Sequence, residues 1–132
     1  MSVVMCPCGS EKQFKLCCEP FLSGANKPRT VQQLMRSRYS AYALGGYGDY
    51  LLATWHPRTA PKVSAAYLST VEQKWLGLTV LAHTQQGNTG TVEFTARYAE
   101  EDGAVHIHHE ISRFVRINGH WLYVDAAPHP HK

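Results

Sequence analysis

Apolar positions fall at helical spacing in the first part of the chain and alternate as in strands in the second. Val31, Leu34, Met35, Arg38 and Tyr42 recur at intervals of three and four and share one helix face, apolar except for Arg38. Thr30 and Gln33 form a capping box that starts this helix, and Gly45-Gly46 stops it. A shorter helix is predicted from Asp49 to Trp55, ended by Pro57, while residues 58–70 lack a strong period and read as loop or a further short helix. From Trp75 the period becomes two. Leu76, Leu78 and Val80 alternate, as do Val92, Phe94, Ala96 and Tyr98, and Val105 to Ile117 is long enough to be bent or bulged. The strands are separated by Gly87-Asn88-Thr89-Gly90, Asp102-Gly103 and Asn118-Gly119, the last two being short-hairpin signals. Helices followed by four strands predict an α+β fold: a curved antiparallel meander wrapped around the long N-terminal helix.

The first 24 residues follow another logic. The sequence has four cysteines, all placed here as Cys6-x-Cys8 and Cys17-Cys18. Zinc takes four soft ligands in a tetrahedron, and two local pairs from separate turns meet that demand. Gly9 permits a tight turn after Cys8, and Ser10 with Gln13 reads as a capping box for a short helix that returns Cys17 and Cys18 toward the first pair. Four thiolates and one zinc ion together carry −2, taking the formal charge from +3 to +1, with Lys12 and Lys15 near in sequence to offset it. Phe14 and Leu16 are the expected apolar cover. Thiol exchange, disulfide stapling or another metal are the competing readings. No apolar segment with a charged leader precedes Cys6, so a reducing, cytoplasmic location is expected, and clustered cysteines there point to metal.

The run CPCGSEKQFKLCC resembles the SEC-C motif, the zinc module at the tail of the SecA motor and in many uncharacterised bacterial proteins. That resemblance implies Cys6, Cys8, Cys17 and Cys18 as metal ligands. LMRSRYSAY at 34–42, TWHP at 54–57 and HEISRF at 109–114 resemble the uncharacterised YchJ-type family, which implies a cone-shaped domain of the nuclear transport factor 2-like type after the SEC-C module. The implied division is a zinc module over residues 1–24 and the cone over 25–132. Some relatives carry a second SEC-C module at the C-terminus. This sequence ends in His129-Pro130-His131-Lys132 without thiols, so no second module is expected, and the two histidines read as a tail. The resemblance brings a fold and Zn2+ but no activity.

Composition narrows the function classes. At 132 residues and 44% apolar content the chain can bury one core, and its apolar stretches are too short to span a membrane. A net charge of +3 without a basic run gives no reason to expect nucleic acid. A cone leaves a concave pocket, and Arg38, Tyr42, Trp55, His109 and Glu110 are the candidate lining. A buried Arg38 needs a carboxylate, with Glu110 the first choice and Asp49 or Asp125 in reserve. His56, His109, Asp49 and Glu110 are the nominees for acid/base work. His106, His108 and Glu110 alternate and form a candidate second metal tripod, although strands expose a polar face routinely.

Two functions fit. The preferred one is a cytoplasmic zinc protein that binds a protein partner through its zinc module, or a small ligand in its cone, without catalysis. The other is a small hydrolyase or isomerase. The zinc module is expected to melt alone on chelation, leaving the cone standing.

Overall fold

In the computed structural model, residues 4–70 and 74–127 are described. A 3-10 turn at Phe14–Leu16 leads into α1 (Glu19–Leu22), α2 (Val31–Leu44), α3 (Gly48–Ala53) and α4 (Ala65–Leu68), followed by β1 (Lys74–Gln86), β2 (Thr89–Ala99), β3 (Val105–Ile117) and β4 (His120–Ala126). The strands form one antiparallel sheet in sequence order, the predicted meander. His129 and His131 lie outside the described residues.

Helix α2 is set where its capping signals placed it. Thr30 Oγ1 accepts from the Gln33 amide at 3.1 Å, Gln33 Oε1 accepts from the Arg29 amide at 2.8 Å, and Gly45 ends the helix at φ +74°. Val31, Leu34, Met35, Arg38 and Tyr39 are buried, and so are Ser37, Ser40 and Ala41 around the helix, because α2 is covered by the sheet on one side and by α3 and the cysteine knuckle on others. Polar groups on the covered sides are answered locally: Ser37 Oγ donates to Leu34 O at 2.8 Å and lies 2.6 Å from the Tyr50 hydroxyl. At the sheet, Gly90 is required. A Cβ there would stand 2.6 Å from Val31 Cγ1 and 2.7 Å from Thr84 O.

The register of β2 with β3 is unbroken from Thr89↔Val115 to Ala99↔Val105, so Val92, Phe94 and Ala96 share the inner face with Glu110, Ser112 and Phe114. Elsewhere bulges bend the sheet around α2. In β1 the pairing shifts at Leu76 and again at Leu81, and against β4 it shifts between Arg113 and Phe114 with Val124 unpaired. The first bulge corrects the strand reading: Trp75 turns inward, whereas Leu76 is exposed. Residues 54–56 run beside β4, with Tyr123 N donating to Thr54 O and His56 N to Tyr123 O, both at 2.8 Å. The second short helix therefore ends at Ala53, earlier than predicted, leaving Thr54 and Trp55 at the sheet edge.

The cysteine knuckle packs on this scaffold. Cys6, Cys8, Cys18 and Leu22 belong to the same buried cluster as Leu34, Ala41 and Leu78. Arg36 of α2 donates to Cys8 O at 2.7 Å, and a Cβ on Gly9, at φ +79°, would meet Leu78 O at 2.9 Å. The knuckle and the cone share one core.

Candidate metal centre and cone pocket

The knuckle folds as a small loop-back. Cys6 N donates to Lys12 O at 2.9 Å and Phe14 N to Val4 O at 2.8 Å, so Met5 and Gln13 face each other and Gly9 and Glu11 take positive φ at the tip. The Ser10–Gln13 capping box does not form. Ser10 Oγ instead accepts from the Lys12 amide at 3.2 Å and lies 3.1 Å from Cys17 Sγ, while Gln13 caps the 3-10 turn with its backbone alone. The turn carries the chain to Cys17 and Cys18, which meet Cys6 and Cys8 with all four Sγ atoms within 4.8 Å of one another.

The donor set fits a tetrahedral soft cation. A metal–sulfur bond of ~2.3 Å implies an S···S edge of ~3.8 Å, which lies between the Cys8–Cys17 and Cys17–Cys18 separations. Those are 3.6 and 4.0 Å. Four protein ligands leave no open coordination position for substrate. Without a cation the crowded sulfurs cannot all ionise alike: hydrogen bonds from Cys18 and Cys6 hold the Cys8 thiol below its ordinary pKa, and the matching bonds to Cys6 and Cys8 raise Cys18. Burial raises Cys17. Among the described residues the cation whose side chain reaches a sulfur is Arg36, 3.8 Å from Cys8 Sγ, not Lys12 or Lys15. The expected cover holds for Phe14, but Leu16 is 74% exposed.

The second site is a cavity of about 210 Å³ between the C-terminal half of α2 and the inner face of the sheet. Met35, Arg38, Tyr39 and Tyr42 form one wall; Trp55, Trp75, Phe94, Ala96 and Tyr123 bring mostly aromatic surface; His108, Glu110 and Ser112 form a polar strip along β3. Of the sequence candidates, Arg38, Tyr42, Trp55 and Glu110 are therefore in place. His109 is not. Neighbouring strand residues point to opposite faces, so with Glu110 inward His109 is outward, 2.8 Å from Glu93, and His108 takes the inner position. Trp75, Phe94 and Tyr123 were missed. The alternation of Trp121 with Tyr123 was the available signal for the last, and the bulge at Leu76 removed the signal for Trp75.

Arg38 contradicts the expected ion pair. It is 4% exposed, yet among the described residues it makes no ion pair with Glu110, Asp49 or Asp125. Its Nη1 donates to Leu51 O and Thr54 Oγ1, both at 2.8 Å, and its guanidinium carbon lies 4.7 Å from the Trp55 ring centre and 4.8 Å from that of Tyr123. Ring faces and neutral oxygens take the place of a carboxylate. Burial pushes its pKa down, while Tyr42, Tyr123 and Glu110 act the other way. Asp125 is occupied on the surface by a two-pronged bond from Arg113, and Asp49 is exposed in α3.

Glu110 has its own donors. Ser112 Oγ donates to Oε2, the Tyr123 hydroxyl donates to the same oxygen at 3.1 Å, and His108 Nε2 stands 3.0 Å from Oε1. Burial first, and then the nearby Glu110 charge, raise the Tyr123 pKa, which keeps that hydroxyl a donor. The tripod of His106, His108 and Glu110 does not assemble, because His106 pairs with Glu100 at 3.4 Å. Among the described residues the cysteines are the only cluster placed to hold a metal ion. His56 is spent on a local turn, its Nδ1 accepting from the Arg58 amide.

Residues 30–126 match the family described as "YchJ, middle NTF2-like domain", and residues 5–20 match the SEC-C motif. The sequence is 48% identical over 131 residues to a UPF0225 protein of Ralstonia nicotianae, covering 92% of this chain and 89% of the relative. It is 45% identical over 123 residues to a UPF0225 protein of Deinococcus radiodurans, covering 92% and 88%. The fold is similar to the solution structure of a SEC-C motif containing protein from Rhodopseudomonas palustris, with a TM-score of 0.85 and 35% identity over 95% of this chain and 98% of that one.

Proposed function

The chain belongs to the UPF0225 family, in which a SEC-C motif accompanies a YchJ-type NTF2-like domain, and on that premise we propose that it is a cytoplasmic zinc-stapled protein that binds a small ligand in its cone and does not transform it. Zinc is the cation that four thiolates at tetrahedral spacing suit, and it serves to hold the knuckle on α2. A protein partner docks on the knuckle, where exposed Leu16 is flanked by the exposed Lys12 and Lys15.

One observation carries the ligand reading: Arg38, His108 and Glu110, from a helix and a strand, converge on a single cavity with aromatic walls. The test uses the indole N–H resonances of the three tryptophans. Trp55 and Trp75 line the cavity, whereas Trp121 Nε1 donates to Arg29 O at 3.2 Å, away from it. In a fragment panel titrated into the zinc-loaded chain, ligands are expected to shift Trp55 and Trp75 and leave Trp121 unmoved. A panel in which no compound moves the first two overturns the reading.

The His108–Glu110 contact favours a second reading, a hydrolyase or isomerase using that pair as acid and base. Conversion of a bound compound to product, lost in His108→Gln while binding persists, would establish catalysis in place of simple binding.

A further inference from the structure

The polar groups of the cavity are unequally satisfied. Glu110 accepts from Ser112 and Tyr123 at one oxygen and contacts His108 at the other, so its charge is already answered by three neighbours. Arg38 is different. A guanidinium carries five N–H donors. Among the described residues its Nη1 serves the neutral Leu51 carbonyl and Thr54 hydroxyl. The Tyr42 hydroxyl oxygen is a third neutral acceptor, hydrogen-bonded to the guanidinium. The indole of Trp55 that covers Arg38 has a buried N–H with no hydrogen-bond partner among the described residues. Around Arg38 the donors thus outnumber the acceptors, and among the described residues the Glu110 charge in the same cavity acts on the guanidinium without pairing with it directly. What Arg38 lacks, among the described residues, is an anionic acceptor paired directly with it.

Size and shape restrict it further. About 210 Å³ lies below the range of ordinary drug-sized pockets. A cavity of ~150 Å³ suffices to bind benzene, so this one admits a single ring with one small substituent. The remaining walls, Met35, Trp75, Phe94 and Ala96, are apolar and largely aromatic, suited to a flat ring or unsaturated chain. We propose that the cavity takes a small organic carboxylate of about the size of benzoate, its carboxylate accepting from Arg38 and its body lying against Trp75 and Phe94. The inference rests on the reading of the cone as a ligand pocket. The preference over a cation is set by the existing contacts: an ammonium would meet a carboxylate already held by its donors and would stand beside Arg38, whose like charge repels it.

The test compares three probes with one ring and different charge, namely benzoate, benzyl alcohol and benzylamine. Each is titrated into the zinc-loaded full chain at neutral pH and followed at the Trp55 and Trp75 indole resonances. Benzoate is expected to bind at least about tenfold more tightly than benzyl alcohol, the scale of one charge-assisted hydrogen bond, and benzylamine most weakly. Arg38→Met is expected to abolish the preference for benzoate. Glu110→Gln, which removes a negative charge and leaves Arg38 in place, is expected to tighten benzoate; it keeps the test decisive if Arg38→Met does not fold. Equal or tighter binding of the neutral or cationic probe, or weaker benzoate binding in Glu110→Gln, overturns the carboxylate assignment and leaves the ligand pocket standing. Silence of Trp55 and Trp75 toward these probes, with responses to others in the wider panel, has the same meaning. Silence toward the entire panel overturns both.

Discussion

Removing the metal should weaken the whole protein, not only its first 24 residues. Cys8 and Cys18 are fully buried, Leu22 is nearly so, and all three sit in the cluster that contains Leu34, Ala41 and Leu78 of the cone. If the knuckle detaches, re-exposure of Leu22 forfeits about 1.5–3 kcal/mol. Loss of the Arg36–Cys8 carbonyl bond at 2.7 Å removes a charge-assisted contact worth about 1.5–3 kcal/mol. Together these amount to roughly 3–6 kcal/mol, which for a domain of this size lowers the melting temperature by roughly 10–20 °C. The assay is thermal unfolding followed by near-ultraviolet circular dichroism with a strong chelator and a thiol reductant present, against the same sample reloaded with zinc. Hydrogen exchange should show faster amide exchange in α2 as well as in the knuckle. A melting temperature for the strands and α2 that chelation leaves unchanged would refute the shared core and restore the independent module that the sequence predicts.

Three further outcomes follow from local geometry. Thr30→Ala removes the oxygen that accepts from the Gln33 amide, and should lower stability by about 1 kcal/mol in chemical denaturation with an unchanged denaturant slope. Gly90→Ala places a methyl 2.6 Å from Val31 Cγ1 and 2.7 Å from a backbone oxygen; the expected loss is about 1–3 kcal/mol, and a neutral result would mean that α2 stands farther from the sheet. Tyr50 is half-buried, and desolvation pushes its pKa up to about 12 from 10.0, so between those values the unfolded chain has lost a proton that the native one keeps. Stability should therefore be full below about pH 10 and fall as pH rises toward 12, with phenolate absorbance from this group appearing together with unfolding.

The parts of the fold legible in the sequence were those fixed by local chemistry. Thr30, Gln33 and Gly45 bounded α2 because caps act within one turn, and Asn118-Gly119 marked its hairpin because two residues there must turn the chain, with Asn118 at φ +52°. Cysteine spacing likewise announced the cluster that could hold a metal ion, since the cysteines of each pair are adjacent or nearly so. What escaped was decided by tertiary contact. A single bulged residue, Leu76, exchanged the faces of Leu76 and Trp75, an outcome that strict alternation cannot foresee. Ser10 resembled a helix cap but turned to Cys17 because the loop-back between Met5 and Gln13 leaves no helix to cap. Arg38 was correctly placed on a buried face, but its partners are a carbonyl, a hydroxyl and two rings from elements remote in sequence, for which periodicity gives no sign. His108 and His109 differ only in phase. Choosing Glu110 as inward already required His108 on the same side.

The metal centre is tested most directly by zinc-edge X-ray absorption, joined to metal analysis, on protein purified without chelators. The expected result is one zinc per chain surrounded by four sulfurs at ~2.3 Å, with no oxygen or nitrogen neighbour in the first shell. Metal well below one per chain in fully reduced protein, or a zinc site with a water or histidine ligand replacing one of Cys6, Cys8, Cys17 and Cys18, would contradict a closed structural site.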